Sequence, residues 1–100
     1  MRNITIFDPA MCCSTGLCGA SPNRELMRVA ADLKRLGNQG VNVKRFNLSQ
    51  EPQAFVADKE VQRLLNEKGP DVLPVVLVDN EVRMTSRYPT SDEFEDWNKE

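Results

Sequence analysis

The sequence predicts an α/β domain with a four-stranded mixed sheet flanked by helices, in the order strand, helix, strand, helix, strand, strand, helix. Three observations carry that prediction. Short apolar runs alternate with stretches whose apolar residues recur at helical spacing. The run Leu73-Pro74-Val75-Val76-Leu77-Val78 is apolar at every position, as a central strand covered on both faces should be. Between the elements stand strong stop signals: Asp8-Pro9, Gly37-Asn38-Gln39-Gly40 and Lys68-Gly69-Pro70.

Residues 3–8, with Ile4, Ile6 and Phe7, form the first strand, and Asp8-Pro9 ends it because proline has no N–H to give to a ladder. A segment rich in cysteine and glycine follows directly. Ser21-Pro22 opens the first helix, with Ser21 as N-cap and Pro22 at the first helical position, where a missing N–H costs nothing. Leu26, Val29, Ala30, Leu33 and Leu36 supply the apolar face of that helix, and residues 37–40 close it. The second strand, 41–48, carries Val41, Val43, Phe46 and Leu48. Its alternation slips between Val43 and Phe46, which predicts a bulge or a strand end there.

A second helical region, 51–68, is expected to break near Asp58, a residue suited to cap a new turn, and to bury Phe55, Val61, Leu64 and Leu65. After the central strand, Asp79-Asn80 turns tightly into 81–85, where Val82 and Met84 alternate with polar residues. These two strands are therefore expected to pair as an antiparallel hairpin. Thr90 with Glu93 three residues later makes a capping box for the last helix. Phe94 and Trp97 are its core face, and Asp92, Glu93, Glu95 and Asp96 its solvated face.

One hundred residues can bury one modest core without disulfide staples, and neither a repeat nor a linker divides the chain, so one domain over 1–100 is expected. The hydrophobic share is 40% and the net charge −2, from 13 basic and 15 acidic residues, which excludes a charge-driven disordered chain. A pI of about 5.2 argues against gripping nucleic acid by charge alone, because that needs a basic face to neutralise phosphates. The amino terminus has too short an apolar run for a signal peptide, and no stretch approaches a membrane span. A cytoplasmic protein is expected.

All three cysteines, Cys12, Cys13 and Cys18, fall within seven consecutive positions, and the chain has no histidine. In a reducing compartment, clustered cysteines point to metal binding or catalysis rather than to structural disulfides. Cysteine used as core filler is scattered among apolar residues, whereas these three sit among Ser14, Thr15, Gly16 and Gly19. Thiolates are soft donors that select Cu(I), zinc or iron–sulfur irons over magnesium or calcium. Closed zinc sites and iron–sulfur clusters call for four ligands, one more than this chain offers unless Asp8, water or a second chain completes the set. Trivalent arsenic and antimony need only three sulfurs, a lone pair filling the remaining direction. The helix that follows offers free N–H groups and the positive end of its dipole, which stabilise thiolates. Arg24 and Arg28 are either solvated helix residues or an added positive charge beside the sulfurs. Gly16 and Gly19 let the loop fold so that Cys18 meets Cys12 and Cys13.

The element order resembles the thioredoxin fold, in which a strand leads into a loop carrying the working cysteines at the start of the first helix. In that fold a proline preceded by a cis peptide bond opens the third strand against the loop. The resemblance gives Pro74 that place and predicts a cis Leu73-Pro74 bond. Thioredoxins carry Cys-x-x-Cys, but here four residues separate Cys13 from Cys18, and Cys12 adjoins Cys13. A disulfide between neighbours closes a strained, easily reduced ring, so the spacing departs from the redox pattern. A thiol-disulfide oxidoreductase stands as the alternative reading.

The segment Phe7-Asp8-Pro9-Ala10-Met11-Cys12-Cys13-Ser14-Thr15-Gly16-Leu17-Cys18-Gly19 is similar to the cysteine motif of the ArsD family of arsenical resistance operons. So are Arg45-Phe46-Asn47-Leu48, Phe55-Val56, Leu73-Pro74 and Arg87-Tyr88-Pro89, and the likeness spans essentially the whole chain. The resemblance implies a metallochaperone, not an enzyme, with no catalytic cofactor. It implies that Cys12, Cys13 and Cys18 bind As(III) or Sb(III) as cargo, taken from glutathione conjugates and passed to the ATPase subunit of the arsenite efflux pump. It implies further a weak repressor of its own operon, hence operator DNA as a partner, a homodimer, and no membrane association. No helix-turn-helix or basic region appears in the sequence, so repression rests on the resemblance alone.

Overall fold

Strand β1 (Asn3–Asp8) is the axis about which the sheet is built. Residues 2–9 and 24–99 are described by the structure, a computed structural model, and the start expected for the first helix at Ser21-Pro22 lies outside them. Helix α1 (Arg24–Asn38) carries the chain over one face of the sheet, and Gly40, at φ 95°, turns it into β2 (Asn42–Asn47). A positive φ there favours glycine, which has no Cβ to clash. Strand β2 lies parallel to β1, in register from Asn3 opposite Asn42 to Asp8 opposite Asn47. Helices α2 (Pro52–Ala57) and α3 (Lys59–Lys68) follow, then a 3-10 turn (Pro70–Val72), β3 (Val75–Val78), β4 (Glu81–Thr85) and α4 (Ser91–Lys99).

The strand order is β2-β1-β3-β4, with β3 antiparallel to both β1 and β4. The sheet is therefore mixed, and β3 is internal and buried at all four positions, as its unbroken apolar run predicts. Side chains alternate across a strand, so successive residues of β1 serve opposite layers. Ile4 and Ile6 join Val76 and Val78 against Val29, Leu33 and Leu36 of α1 and Phe94 and Trp97 of α4. Phe7 joins Val75 and Leu77 on the other face against Phe55, Val61 and Leu64 of α2 and α3. There Phe7 meets the edge of Phe55 at 5.0 Å between ring centres, and Phe46 at 5.4 Å.

The two-layer arrangement corrects one expectation. Strand β2 continues unbroken from Val43 to Phe46, without the bulge that the slipped alternation suggested. Val43 packs with the α1/α4 layer and Phe46 with the α2/α3 layer, so the slip records a strand serving two cores. The register shift falls instead between β3 and β4, where Val76 pairs with Met84 and Leu77 with Val82, leaving Arg83 as the extra residue.

The local signals appear where they were expected. Asp58 separates α2 from α3 and caps the latter, its Oδ1 accepting the N–H groups of Glu60 and Val61 at 3.1 Å each. Thr90 and Glu93 form the reciprocal capping box, Glu93 N–H to Thr90 Oγ1 at 3.2 Å and Thr90 N–H to Glu93 Oε1 at 2.9 Å. Asp79 and Asn80 have φ of 51° and 69°, the pair of left-handed residues that a two-residue hairpin turn needs. Among the described residues, no helix is long and apolar enough to cross a membrane.

Candidate functional site

Cys12, Cys13 and Cys18 lie outside the described residues, within the segment that joins β1 to α1. The borders of that segment carry the structural information. On its N-terminal side, β1 ends at Asp8, whose carboxylate is completely buried. Asp8 follows Ile4 and Ile6 on the same face of β1, so a charged group takes the next place in an apolar row. Its partners come from far along the chain. Arg45 of β2 binds it with both prongs of the guanidinium, Nε to Oδ2 at 3.0 Å and Nη2 to Oδ1 at 2.7 Å. Tyr88, in the connection between β4 and α4, donates its hydroxyl to Oδ1 at 2.6 Å.

This geometry decides the role of Asp8. A carboxylate that accepts three hydrogen bonds in a buried setting is a satisfied anchor, both of its oxygens engaged by Arg45 and Tyr88. Burial pushes the Tyr88 phenol well above the ordinary tyrosine range, and the neighbouring Asp8 carboxylate pushes it the same way, so the hydroxyl stays a donor. The pair Asp8 and Arg45 is internally neutral.

The third strand brings a second border feature. The Leu73-Pro74 bond is cis, as the fold resemblance predicted, and both residues are buried. Ser86, at φ 69°, donates its N–H to the carbonyls of Val72 at 2.7 Å and Pro74 at 3.0 Å, and so holds the chain on both sides of that bond. The short connection after β4 thus touches the cis-proline through Ser86 and the end of β1 through Tyr88.

On the C-terminal side, α1 has an exposed Arg24, while Arg28 is committed to Asp32, Nη1 to Oδ2 at 2.7 Å. Asp32 is buried on the apolar face of α1 and also accepts Arg35 at 2.9 Å and the Ser91 hydroxyl at 2.8 Å. Burial alone raises its pKa, but hydrogen bonds from Ser91, Arg28 and Arg35 outweigh it and hold the carboxyl below its usual value. Sequence reasoning missed Arg45, Tyr88 and Asp32 as members of polar networks. A signal existed for both acids: Asp8 continues the Ile4, Ile6 row, and Asp32 lies three residues beyond Val29 and four before Leu36. Among the described residues, no three acidic or cysteine side chains gather as a cation site.

The four strands, their order and the cis-proline at the head of β3 define a thioredoxin-like domain with its cysteines on the β1–α1 segment. The comparisons with known proteins specify which kind. The family model described as "Arsenical resistance operon protein ArsD" matches residues 1–100, and the chain belongs to the ArsD family. Two Escherichia coli proteins named "Arsenical resistance operon trans-acting repressor ArsD" are 41% and 40% identical to it over 97 residues, covering 97% of this chain and 81% of theirs. A crystal structure titled as the arsenical resistance operon trans-acting repressor from Bacteroides vulgatus ATCC 8482 superposes with a TM-score of 0.89 at 48% identity, over 97% of this chain and 92% of that one.

Proposed function

We propose that this protein is a carrier for trivalent arsenic or antimony, bound by the thiolates of Cys12, Cys13 and Cys18 and handed to the ATPase subunit of an arsenite efflux pump. The observation that carries the proposal is the cluster itself: three sulfurs within seven positions, with no histidine, in a member of an arsenical resistance family. Three sulfurs satisfy a three-coordinate soft centre. Stepwise replacement of one thiolate by another, through mixed intermediates, lets such cargo leave for a second three-thiol site without ever being free. The donor that suits this chemistry is a glutathione conjugate, itself a thiolate complex.

A titration tests the reading. Arsenite is expected to bind at one ion per three thiols, with zinc and Cu(I) run as competitors. Replacing any one of Cys12, Cys13 or Cys18 by alanine is expected to weaken binding sharply and leave the fold intact. A Cys18→Ala variant that bound as tightly as the parent would overturn the three-sulfur site. Delivery is read separately, as stimulation of ATP hydrolysis by the pump subunit when arsenite is supplied on this protein.

A second role is favoured by the names of the relatives, which are called trans-acting repressors. In that role a homodimer binds operator DNA and releases it when the metalloid arrives. Arsenite-dependent loss of operator binding in a mobility-shift assay supports it, and operator binding indifferent to arsenite counts against it. The oxidoreductase reading, in contrast, needs a Cys13–Cys18 disulfide that cycles with a reductant, for which the five-residue offset is unsuited.

A further inference from the structure

We infer that Arg45 and Tyr88, acting through Asp8, are positioning residues for the metalloid site: they hold the end of β1 from which the cysteine-bearing segment departs. The inference rests on the three-thiolate reading above and adds to it the part of the fold that sets the affinity of those thiolates.

Several observations converge on Asp8. Its position is one where an apolar side chain would extend the Ile4, Ile6 row, yet it holds a fully buried carboxylate. Replacing a buried ion pair with apolar residues is often neutral or stabilising, so global stability alone is a poor reason for such a pair. What the pair supplies is direction. The guanidinium is a rigid planar fork, and its two contacts at 3.0 and 2.7 Å fix the carboxylate plane, which the Tyr88 hydroxyl then holds from a third point at 2.6 Å. The partners are 37 and 80 residues away, so two distant elements are spent on orienting the last residue of one strand.

The connection that bears Tyr88 also seats the cis-proline through Ser86, so the strand end and the head of β3 are located by one short piece of chain. Cys12 stands four residues beyond Asp8. Gathering three thiolates around one ion costs conformational entropy, and a fixed departure point lowers that cost before the ion arrives.

The experiment compares arsenite affinity and dissociation rate in the parent, Tyr88→Phe, Asp8→Asn and Arg45→Lys, at a temperature where each is folded by circular dichroism. Tyr88→Phe keeps the ring in the core and removes only the hydroxyl, so it remains informative if Asp8→Asn does not fold. Leu36→Val, in the last turn of α1 and so beside the opposite end of β1, serves as a control for destabilisation remote from the site. The expected result is arsenite binding weakened by about threefold to tenfold in Tyr88→Phe, carried mainly by faster dissociation, a size usual for a residue that acts on a site through an intermediate. Leu36→Val is expected to stay within about twofold of the parent, since a remote core change leaves the site geometry in place. If Tyr88→Phe, Asp8→Asn and Arg45→Lys release arsenite no faster than Leu36→Val, the positioning role is wrong while the three-thiolate site stands. If the parent itself takes up no arsenite, both readings fall together.

Discussion

Ser91, the half-buried first residue of α4, donates its hydroxyl to the buried Asp32 of α1 at 2.8 Å, and this bond ties the first helix to the last. Asp32 gathers Arg28 and Arg35 on the same oxygens, and Arg35 reaches on to Glu95 at 3.0 Å, so α1 and α4 share one charge network above an apolar layer.

That network makes stability depend on pH in a stated direction. The Asp32 carboxyl is held below its ordinary value of 3.8 in the folded chain, so folding favours its ionised form. Its contribution is fully present above the unfolded value and disappears as pH falls through the folded one. Urea midpoints measured downward from pH 5 are expected to decline, and Asp32→Asn to decline less steeply. At pH 7 the Asn variant is expected to be less stable by about 1–3 kcal/mol, the usual loss for hydrogen bonds to a charged group.

The Asp8 anchor is expected to behave as a coupled unit. Asp8→Ala strands the Arg45 guanidinium, only 15% exposed, without its carboxylate, and is expected to cost about 3–5 kcal/mol by chemical denaturation. Replacing Asp8 with leucine and Arg45 with methionine together is expected to cost less than Asp8→Ala alone. Strictly additive losses would contradict the pairing.

Asp58 is expected to act as the cap that lets α3 begin. Asp58→Ala leaves the N–H groups of Glu60 and Val61 without their side-chain acceptor and is expected to lower stability by about 1 kcal/mol, with Asp58→Asn close to the parent. Amide exchange at Glu60 and Val61 is expected to quicken in the alanine variant and not in the asparagine one.

The hairpin turn offers a stabilising change. Asn80 sits at φ 69°, where glycine has no steric penalty, so Asn80→Gly is expected to raise the melting temperature, by up to about 1 kcal/mol in stability. Asp79 is best left alone, because its carboxylate accepts the Asn3 N–H at 2.9 Å and an Arg2 prong at 2.6 Å.

At the capping box, the Arg87 guanidinium and the Thr90 N–H hold the Glu93 carboxyl at about 2, down from 4.5. The carboxylate therefore contributes above pH 4.5, and the contribution is lost as pH falls toward 2. An NMR titration is expected to find Glu93 well below the ordinary glutamate range, and to find it raised in Arg87→Gln but still below that range, because the Thr90 N–H remains.

Much of the fold was legible in the sequence because its signals are local. Caps act over two or three residues, so Asp58, Thr90 and Glu93 announced two helix starts. The turn at Asp79-Asn80 and the unbroken apolar run of β3 were equally readable. Strand β2 was harder, because periodicity assumes one buried face, whereas Val43 and Phe46 each have a core of their own. Of the candidate site, the three clustered thiols were readable at once, since their number and spacing are sequence properties.

The sequence by itself determined the element order, the caps of α3 and α4 and the spacing of the three cysteines, all properties of neighbours along the chain. Only the tertiary structure decided what Asp8 does. Its partners Arg45 and Tyr88 are brought to it by the parallel pairing of β1 with β2 and by the path of the chain after β4, at separations over which no periodicity carries information. A charge in an apolar row is visible in one dimension; whether it is paired is a question of which elements fold against it.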